Sequence, residues 1–245
     1  MQISVKSDVK ELTKSLNRIQ RKQIPFATVM AVNETARNVR KAEYLAMRQV
    51  FTSPTSYTVP PNIDKPKKRG SIFVQNANKK DLIARVWIKD LSAGKGTPAI
   101  NYLAPQIFGG SRKPKASEKS LRRKGLIGGN KFITPSNVNR NMYGNVTKGT
   151  MTKIISGLGA LPGTAKGTKS RQKKSYFVMR LGGRGSETGI WERTSKKRIN
   201  KLFNVTSAPS YRPRLPWFMV AGRTINRVFK PNFALAFKEA MKSAR

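Results

Sequence analysis

The distribution of charge constrains this chain more than any other feature of its sequence. Residues 91–186 contain 19 Lys and Arg residues but a single acid, Glu118, and the whole chain has a formal net charge of +39 at pH 7. Like charges at this density oppose compaction unless anions surround the folded chain. We therefore expect a polyanion nearby, either nucleic acid, which cations bind with release of counterions, or an acidic protein partner. Solubility alone would need far fewer cations.

The residue types on which most enzymes depend are missing or scarce. The chain has no His and no Cys, which excludes a disulfide framework, a thiolate or imidazole zinc site and a His-based catalytic triad. Glu187 and Glu192 could act as a carboxylate pair in glycoside hydrolysis. Solvated turn residues that offset Arg184 and Arg193 are a better interpretation of this pair. We expect no catalytic activity, no cofactor and no metal.

Hydrophobic periodicity predicts helices and a hairpin in the N-terminal part of the chain. Apolar residues recur at helical spacing over residues 8–21. Pro25 suits the first turn of a helix, and a second apolar stripe predicts a helix over residues 25–51. Alternating apolar and polar residues then predict two antiparallel strands at 71–75 and 81–89.

The composition of the middle of the chain predicts an insertion. Residues 91–175 are rich in Gly and Lys, and loops of this length are usually functional or disordered. They include two apolar islands, Ala99–Phe108 and Val146–Leu161. We expect an arm that contains two short helices, reaches outward and becomes ordered against neighbouring subunits.

Regular patterning returns in the C-terminal part of the chain. Residues 176–181 and 189–193 flank a glycine-rich turn and predict a β-hairpin. A third strand is expected at 201–206. A final helix begins at Trp217, and we expect an interruption at Pro231.

Together these patterns predict an α+β fold, with an antiparallel sheet of about five strands packed by N-terminal and C-terminal helices. The predicted segments are an N-terminal core of helices and a hairpin (1–90), a basic Gly/Lys-rich insertion or arm (91–175), and a C-terminal hairpin, strand and helix that complete the core (176–245). No apolar run approaches the ~18 residues of a membrane span, so we expect no membrane partner.

Clusters of Lys and Arg are the candidate contacts with DNA or an acidic partner. Phosphate contacts need placed cations but no base-specific geometry. A solvated loop is an equally good interpretation of each cluster. The candidates are Lys67, Lys68, Arg69, Arg112, Lys113, Lys115, Arg122, Arg123, Lys124, Arg171, Lys173 and Lys174.

Several segments resemble virion proteins of tailed bacteriophages. The Ile-Pro-Phe-Ala entry into the second predicted helix, followed by Met-Ala-Val-Asn-Glu-Thr-Ala, resembles the opening helices of the minor tail protein Z group. The C-terminal third is similar to tail-completion and neck proteins, in its aromatic-Glu-Arg hairpin end, its Leu-Phe-x-Val strand and its Tyr-Arg-Pro-Arg turn. The segments are Ile24–Ala27, Met30–Ala36, Lys131–Ser136, Tyr143–Gly149, Trp191–Arg193, Leu202–Val205 and Tyr211–Arg214.

The resemblance implies a structural virion protein without catalytic activity. It implies a tail-completion or neck (head–tail connector) subunit that forms a ring of about six or twelve copies around the DNA path. Its partners would be portal, adaptor or tail-tube proteins and genomic DNA, in the virion tail or neck, after assembly in the host cytoplasm. The alternative is a non-sequence-specific nucleic-acid-binding protein, nucleoid- or ribosome-associated, that acts as a monomer or dimer without a virion.

Overall fold

The computed structural model describes residues 22–64, 70–90, 96–161, 175–180 and 188–242. The chain divides into two compact units. The first unit lies within residues 1–89 and 215–245, and the second within residues 90–214. The helix predicted over residues 8–21 lies outside the described residues.

Two long helices and a hairpin make up the described part of the first unit. These are α1 (Ile24–Val50), β1 (Ile72–Gln75), β2 (Arg85–Ile88) and α5 (Trp217–Lys242). The helix predicted from Pro25 is thus confirmed, with Pro25 in its first turn. Both strands of the predicted hairpin are present and antiparallel. β2 is shorter than predicted and begins at Arg85. In the turn before it, Asn78 Oδ1 accepts the backbone N–H groups of Lys80 and Asp81, at 2.8 Å each.

Small residues let α1 and α5 approach closely. Ala27 and Ala31 of α1 meet Ala236 and Ala240 of α5, and aromatic and Met side chains pack around this contact. Each alanine pair has i, i+4 spacing, which aligns it on one helix face. The interruption expected at Pro231 is absent, because α5 is continuous through this residue.

The proline in α5 removes one backbone hydrogen bond without ending the helix. A proline inside a helix lacks the donor that its turn requires. The next residue, Asn232, donates from Nδ2 to Thr35 Oγ1 of α1 at 3.1 Å. Contacts of α5 with α1 just after Pro231 therefore support the helix where propensity alone predicts a break.

The described part of the second unit contains three short helices and six strands. In chain order these are α2 (Ile100–Phe108), β3 (Gly110–Ser111), α3 (Ala116–Arg123), β4 (Phe132–Pro135), α4 (Lys148–Gly157), β5 (Tyr176–Arg180), β6 (Thr188–Arg193), β7 (Ile199–Thr206) and β8 (Ser210–Tyr211). β4, β7, β6 and β5 form a four-stranded antiparallel sheet in that order, and β3 pairs with β8. The predicted C-terminal hairpin corresponds to β5 and β6, and the predicted third strand corresponds to β7.

The α+β class is confirmed, but the predicted single sheet of about five strands is not what the described residues form. Within the described ranges β1 and β2 pair only with each other, so the strands there lie in separate sheets of two, two and four. The pairing of β4 with β7 is long-range and brings together strands that are far apart in the sequence. Local alternation identifies a strand but contains no information about its partner.

The segment predicted as an outward arm contributes to the core of the second unit. Leu121 of α3 and Ile154 of α4 pack with Ile190 of β6 and Phe203 of β7 in one buried cluster. A boundary at 175/176 would separate β4 from β7, so the two units divide the chain differently from the three predicted segments. The two expected short helices are present as α2 and α4, and α3 is an additional one.

Candidate polyanion-binding surface

Glu118, the only acid in the basic stretch, is fully buried and joins α3 to the sheet. Its carboxylate accepts two hydrogen bonds from the guanidinium of Arg112, at 2.8 and 2.6 Å. It also accepts the backbone N–H of Lys115 at 2.7 Å and that of Ile133 at 3.1 Å. Lys115 precedes the first turn of α3 and Ile133 belongs to β4, so a single carboxylate caps the helix and holds it to the sheet.

These donors keep Glu118 ionised. Burial by itself would raise the pKa of Glu118, because it disfavours the charged form. The hydrogen bonds from Arg112 and from the two backbone N–H groups outweigh burial, and the pKa of Glu118 is lowered. The two hydrogen bonds that Arg112 donates to Glu118 raise the pKa of Arg112. The pair is a buried ion pair with its acceptor sites occupied, as such pairs require.

Two guanidinium groups lie against the ring of Phe132 in β4. Arg112 Cζ is 4.9 Å and Arg122 Cζ 4.7 Å from the ring centroid. Arg122 also donates from Nε and Nη2 to the carbonyl oxygen of Lys131, at 3.1 and 2.6 Å. Both arginines therefore hold α3 and the loop after it in place, and their charges are engaged by protein groups.

Two cations of α3, Lys119 and Arg123, and Lys115 at its N-cap are exposed to solvent. Lys115, Lys119 and Arg123 follow one another at i, i+4 and i+8. At a rise of 1.5 Å per residue, Lys119 and Arg123 lie about 6 Å apart along the helix axis, and Lys115 precedes them. We call Lys115, Lys119 and Arg123 the basic face of α3. Exposed Lys113 and Lys124 flank it at the two ends.

This arrangement is unfavourable for the helix in isolation. Lys119 and Arg123 are a pair of like charges at i, i+4 within the helix, which destabilises it by about 0.2–0.5 kcal/mol. Partial desolvation and the neighbouring Arg112 lower the pKa of Lys115, against a raising effect of Glu118. An anion bound along the basic face would relieve the repulsion, so this face is suited to a polyanion.

A glycine ends α3 and sets the direction of the loop that follows. Gly125 adopts φ +71°, a left-handed conformation that side chains disfavour. Its N–H donates to Arg122 O at 2.9 Å, and the N–H of Leu126 donates to Leu121 O at 3.0 Å. This pair of bonds is a Schellman motif, which satisfies the last carbonyls of the helix.

The contact residues predicted from the sequence fall into three groups in the structure. Lys67, Lys68, Arg69, Arg171, Lys173 and Lys174 lie outside the described residues. Arg112 and Arg122 bind protein groups around α3 and serve the fold, which the sequence did not predict. Lys113, Lys115, Arg123 and Lys124 are exposed on or beside α3.

Lys119 belongs to the basic face but is not among the contact residues predicted from the sequence. No helix was predicted at 116–123 because Leu121 is the one strongly apolar residue there, too few for an apolar periodicity. The available signal was the i, i+4, i+8 spacing of Lys115, Lys119 and Arg123 in the sequence.

Of the two carboxylates considered for hydrolysis, the structure describes Glu192. Glu187 lies outside the described residues, and Glu192 of β6 faces Tyr176 of β5. Burial, followed by the hydrogen bond to Glu192, raises the pKa of Tyr176. In the part of the chain that the structure describes, no three acidic side chains cluster in a way that could hold a metal ion.

Comparison of the whole chain with known proteins gives no relative. No protein-family model, curated protein or solved structure matches it. Within the described ranges, no helix is both long enough and apolar enough to cross a membrane.

Proposed function

We propose that this protein is a structural virion subunit of a tailed bacteriophage, a tail-completion or neck protein that assembles into a ring around the DNA path. The observation that carries the proposal is the basic face of α3, whose one acid, Glu118, is buried against Arg112. The sequence segments that resemble tail-completion and minor tail proteins add to it.

The basic face provides a contact for the DNA backbone without sequence readout. Cations spaced along one helix face neutralise phosphates and release counterions, which makes binding salt-dependent. The ion pair of Glu118 holds this helix rigidly against the sheet, so the cations are presented on a fixed support.

Exposed apolar residues favour an assembly protein over a free nucleic-acid-binding protein. On α5, Phe218, Ile225 and Phe229 are 67%, 43% and 37% exposed. Their spacing of i, i+7 and i+11 places them on one helix face, the pattern by which a helix docks in an apolar groove of a partner. Exposed apolar patches of this kind mark contacts with other proteins, which an assembly requires and nucleic-acid coating does not.

Neutralising the basic face is expected to flatten the salt dependence of DNA binding. In the variant Lys115→Gln/Lys119→Gln/Arg123→Gln, the slope of log K against log salt for duplex DNA should fall by about 2–3, because each phosphate that a cation neutralises accounts for about 0.9 of the slope. Fluorescence anisotropy with a labelled duplex over a salt series measures this slope.

A control of equal charge change is available in the turn between β6 and β7. Lys196, Lys197 and Arg198 are exposed there, so their triple glutamine variant also removes two Lys and one Arg. Its slope should stay close to that of the wild type. An equal fall in both variants would contradict a specific role for the basic face.

The mass of the purified protein in solution tests the assembly part of the proposal. Light scattering on a sizing column, at low and high salt and with or without duplex DNA, should show rings. A monomer that assembles only with portal or tail proteins, and binds DNA weakly, also agrees with the proposal. A small species that coats DNA tightly and loses it steeply with salt would favour the alternative, a free nucleic-acid-binding protein.

A further inference from the structure

The second unit contains a cavity of about 590 Å³ at one end of its four-stranded sheet. It lies between the loop that follows α3 and the end of the sheet where β5 and β7 finish and β6 begins. Pairing across β5 and β6 places Arg180 opposite Thr188, and pairing across β4 and β7 places Phe132 opposite Thr206. The lining thus comes from three neighbouring strands and one loop.

The chemistry of the lining is that of an anion site. Its lining residues include two cations, Lys131 and Arg180, and three residues with hydroxyl groups. Leu126, Ile127 and Val205 supply an apolar part. Among the described lining residues none is acidic, so a bound anion would meet no like charge from them. The hydroxyl residues are Thr188, Thr206 and Ser207.

The loop that forms one wall is held by specific bonds. It leaves α3 through the Schellman motif at Gly125 and closes a turn in which the Lys131 N–H donates to Gly128 O at 3.0 Å. The two bonds from Arg122 fix the Lys131 carbonyl. Lys131 Nζ lies 3.3 Å from Ser207 Oγ, which keeps its ammonium beside the end of β7. The wall is therefore built before any ligand arrives.

We propose that this cavity binds the phosphate group of a nucleotide-sized ligand, with Lys131 and Arg180 as its counter-charges. Ligand sites in proteins usually have volumes of about 300–1,000 Å³, so this one exceeds the needs of a lone phosphate ion and suits a mononucleotide. Two cations and several hydroxyl groups match the acceptor oxygens of a phosphate. The apolar side chains can contact a sugar or base.

This inference does not depend on the basic face of α3, because none of the residues that form that face lines the cavity. The same phosphate chemistry has two sources, a free nucleotide or one nucleotide of a single strand. A competition experiment separates them.

The test is calorimetric titration of the full chain with deoxyadenosine monophosphate, deoxyadenosine and inorganic phosphate. The monophosphate is expected to bind with a 1:1 stoichiometry, phosphate more weakly, and the nucleoside not measurably. Lys131→Gln and Arg180→Gln should each weaken binding of the monophosphate by about tenfold or more, the loss of a charge-assisted hydrogen bond. Thermal unfolding of each variant checks that the fold is retained.

Lys124→Gln is the matched control, because this exposed cation lies next to the same loop but does not line the cavity. It should leave binding of the monophosphate within about twofold. Nucleoside binding as tight as that of the monophosphate would overturn the proposal, as would equal losses in Lys124→Gln and Lys131→Gln. Competition with a short single-stranded oligonucleotide assigns the source: displacement of the monophosphate indicates a strand, and its absence a free nucleotide.

Discussion

The variant Glu118→Ala is expected to lose about 3–5 kcal/mol of unfolding free energy, the range for a buried ion pair from which one partner is removed. Arg112 would keep its charge with a side chain that is 11% exposed and no carboxylate to bind. The backbone N–H groups of Lys115 and Ile133 would lose their acceptor as well. Urea unfolding followed by circular dichroism measures the loss.

A second substitution separates the charge from the packing. In the double variant Arg112→Met/Glu118→Ala no buried charge remains, so part of the stability should return relative to Glu118→Ala alone. If Glu118→Ala loses less than about 1 kcal/mol, the carboxylate does not anchor α3 as described.

The same carboxylate predicts the response to acid. Its folded-state pKa is lowered, so its contribution to stability is present above the unfolded-state pKa and is lost as the pH falls through the folded-state pKa. Glu118→Gln, which has no titrating group, should unfold in acid with a smaller dependence on pH than the wild type.

The variant Glu43→Gln is expected to stabilise the protein at alkaline pH. Glu43 lies on α1 with no exposed surface, and neither carboxylate oxygen has a hydrogen-bond partner among the described residues. Burial raises the pKa of Glu43 to about 8. The folded state therefore holds a proton that the unfolded state releases near pH ~4–5.

The sign of the effect follows from this difference. Between the unfolded-state and folded-state pKa values the folded state binds more protons, so stability falls as the pH rises, by about 1.4 kcal/mol per pH unit. At pH 9 Glu43→Gln should be more stable than the wild type by several kcal/mol, on the order of 4–5 if the whole shift is expressed. At pH 5 the two proteins should be similar.

Urea unfolding at a series of pH values measures this difference. Glu34→Gln is the control, because Glu34 is an exposed residue of the same helix, paired with Arg37. Its profile should follow that of the wild type. A wild-type stability that does not change between pH 5 and 9 would contradict the assignment of a buried, protonated Glu43.

Sequence patterns predict the secondary structure correctly where the residues that form the pattern are close together in the chain. Pro25 and the apolar stripe that follows it predict α1 to within a residue at each end. Two strands around a glycine-rich turn predict the pairing of β5 with β6. In each case the residues that give the signal are close together in the chain, and periodicity reports which face they share.

The same local patterns predict only part of the candidate site. Charge clustering pointed to the cations around α3, but it treated Arg112 and Arg122 as equal to Lys115 and Arg123. Arg112 and Arg122 differ from the exposed cations because they contact Glu118 of α3 or Phe132 of β4, where the helix packs on the strand. No local pattern distinguishes an arginine that binds a buried carboxylate from one that faces solvent.

The sequence by itself determined the α+β class, the excess of positive charge and the positions of most described elements, because composition and short-range periodicity are sufficient for these. Only the tertiary structure decided that β4 pairs with β7, that α5 continues through Pro231, and that Glu118 is buried. Each of these depends on contacts between residues distant in the chain. Such contacts supply the packing energy that overrides local propensity and the hydrogen bonds that allow a charge to be buried.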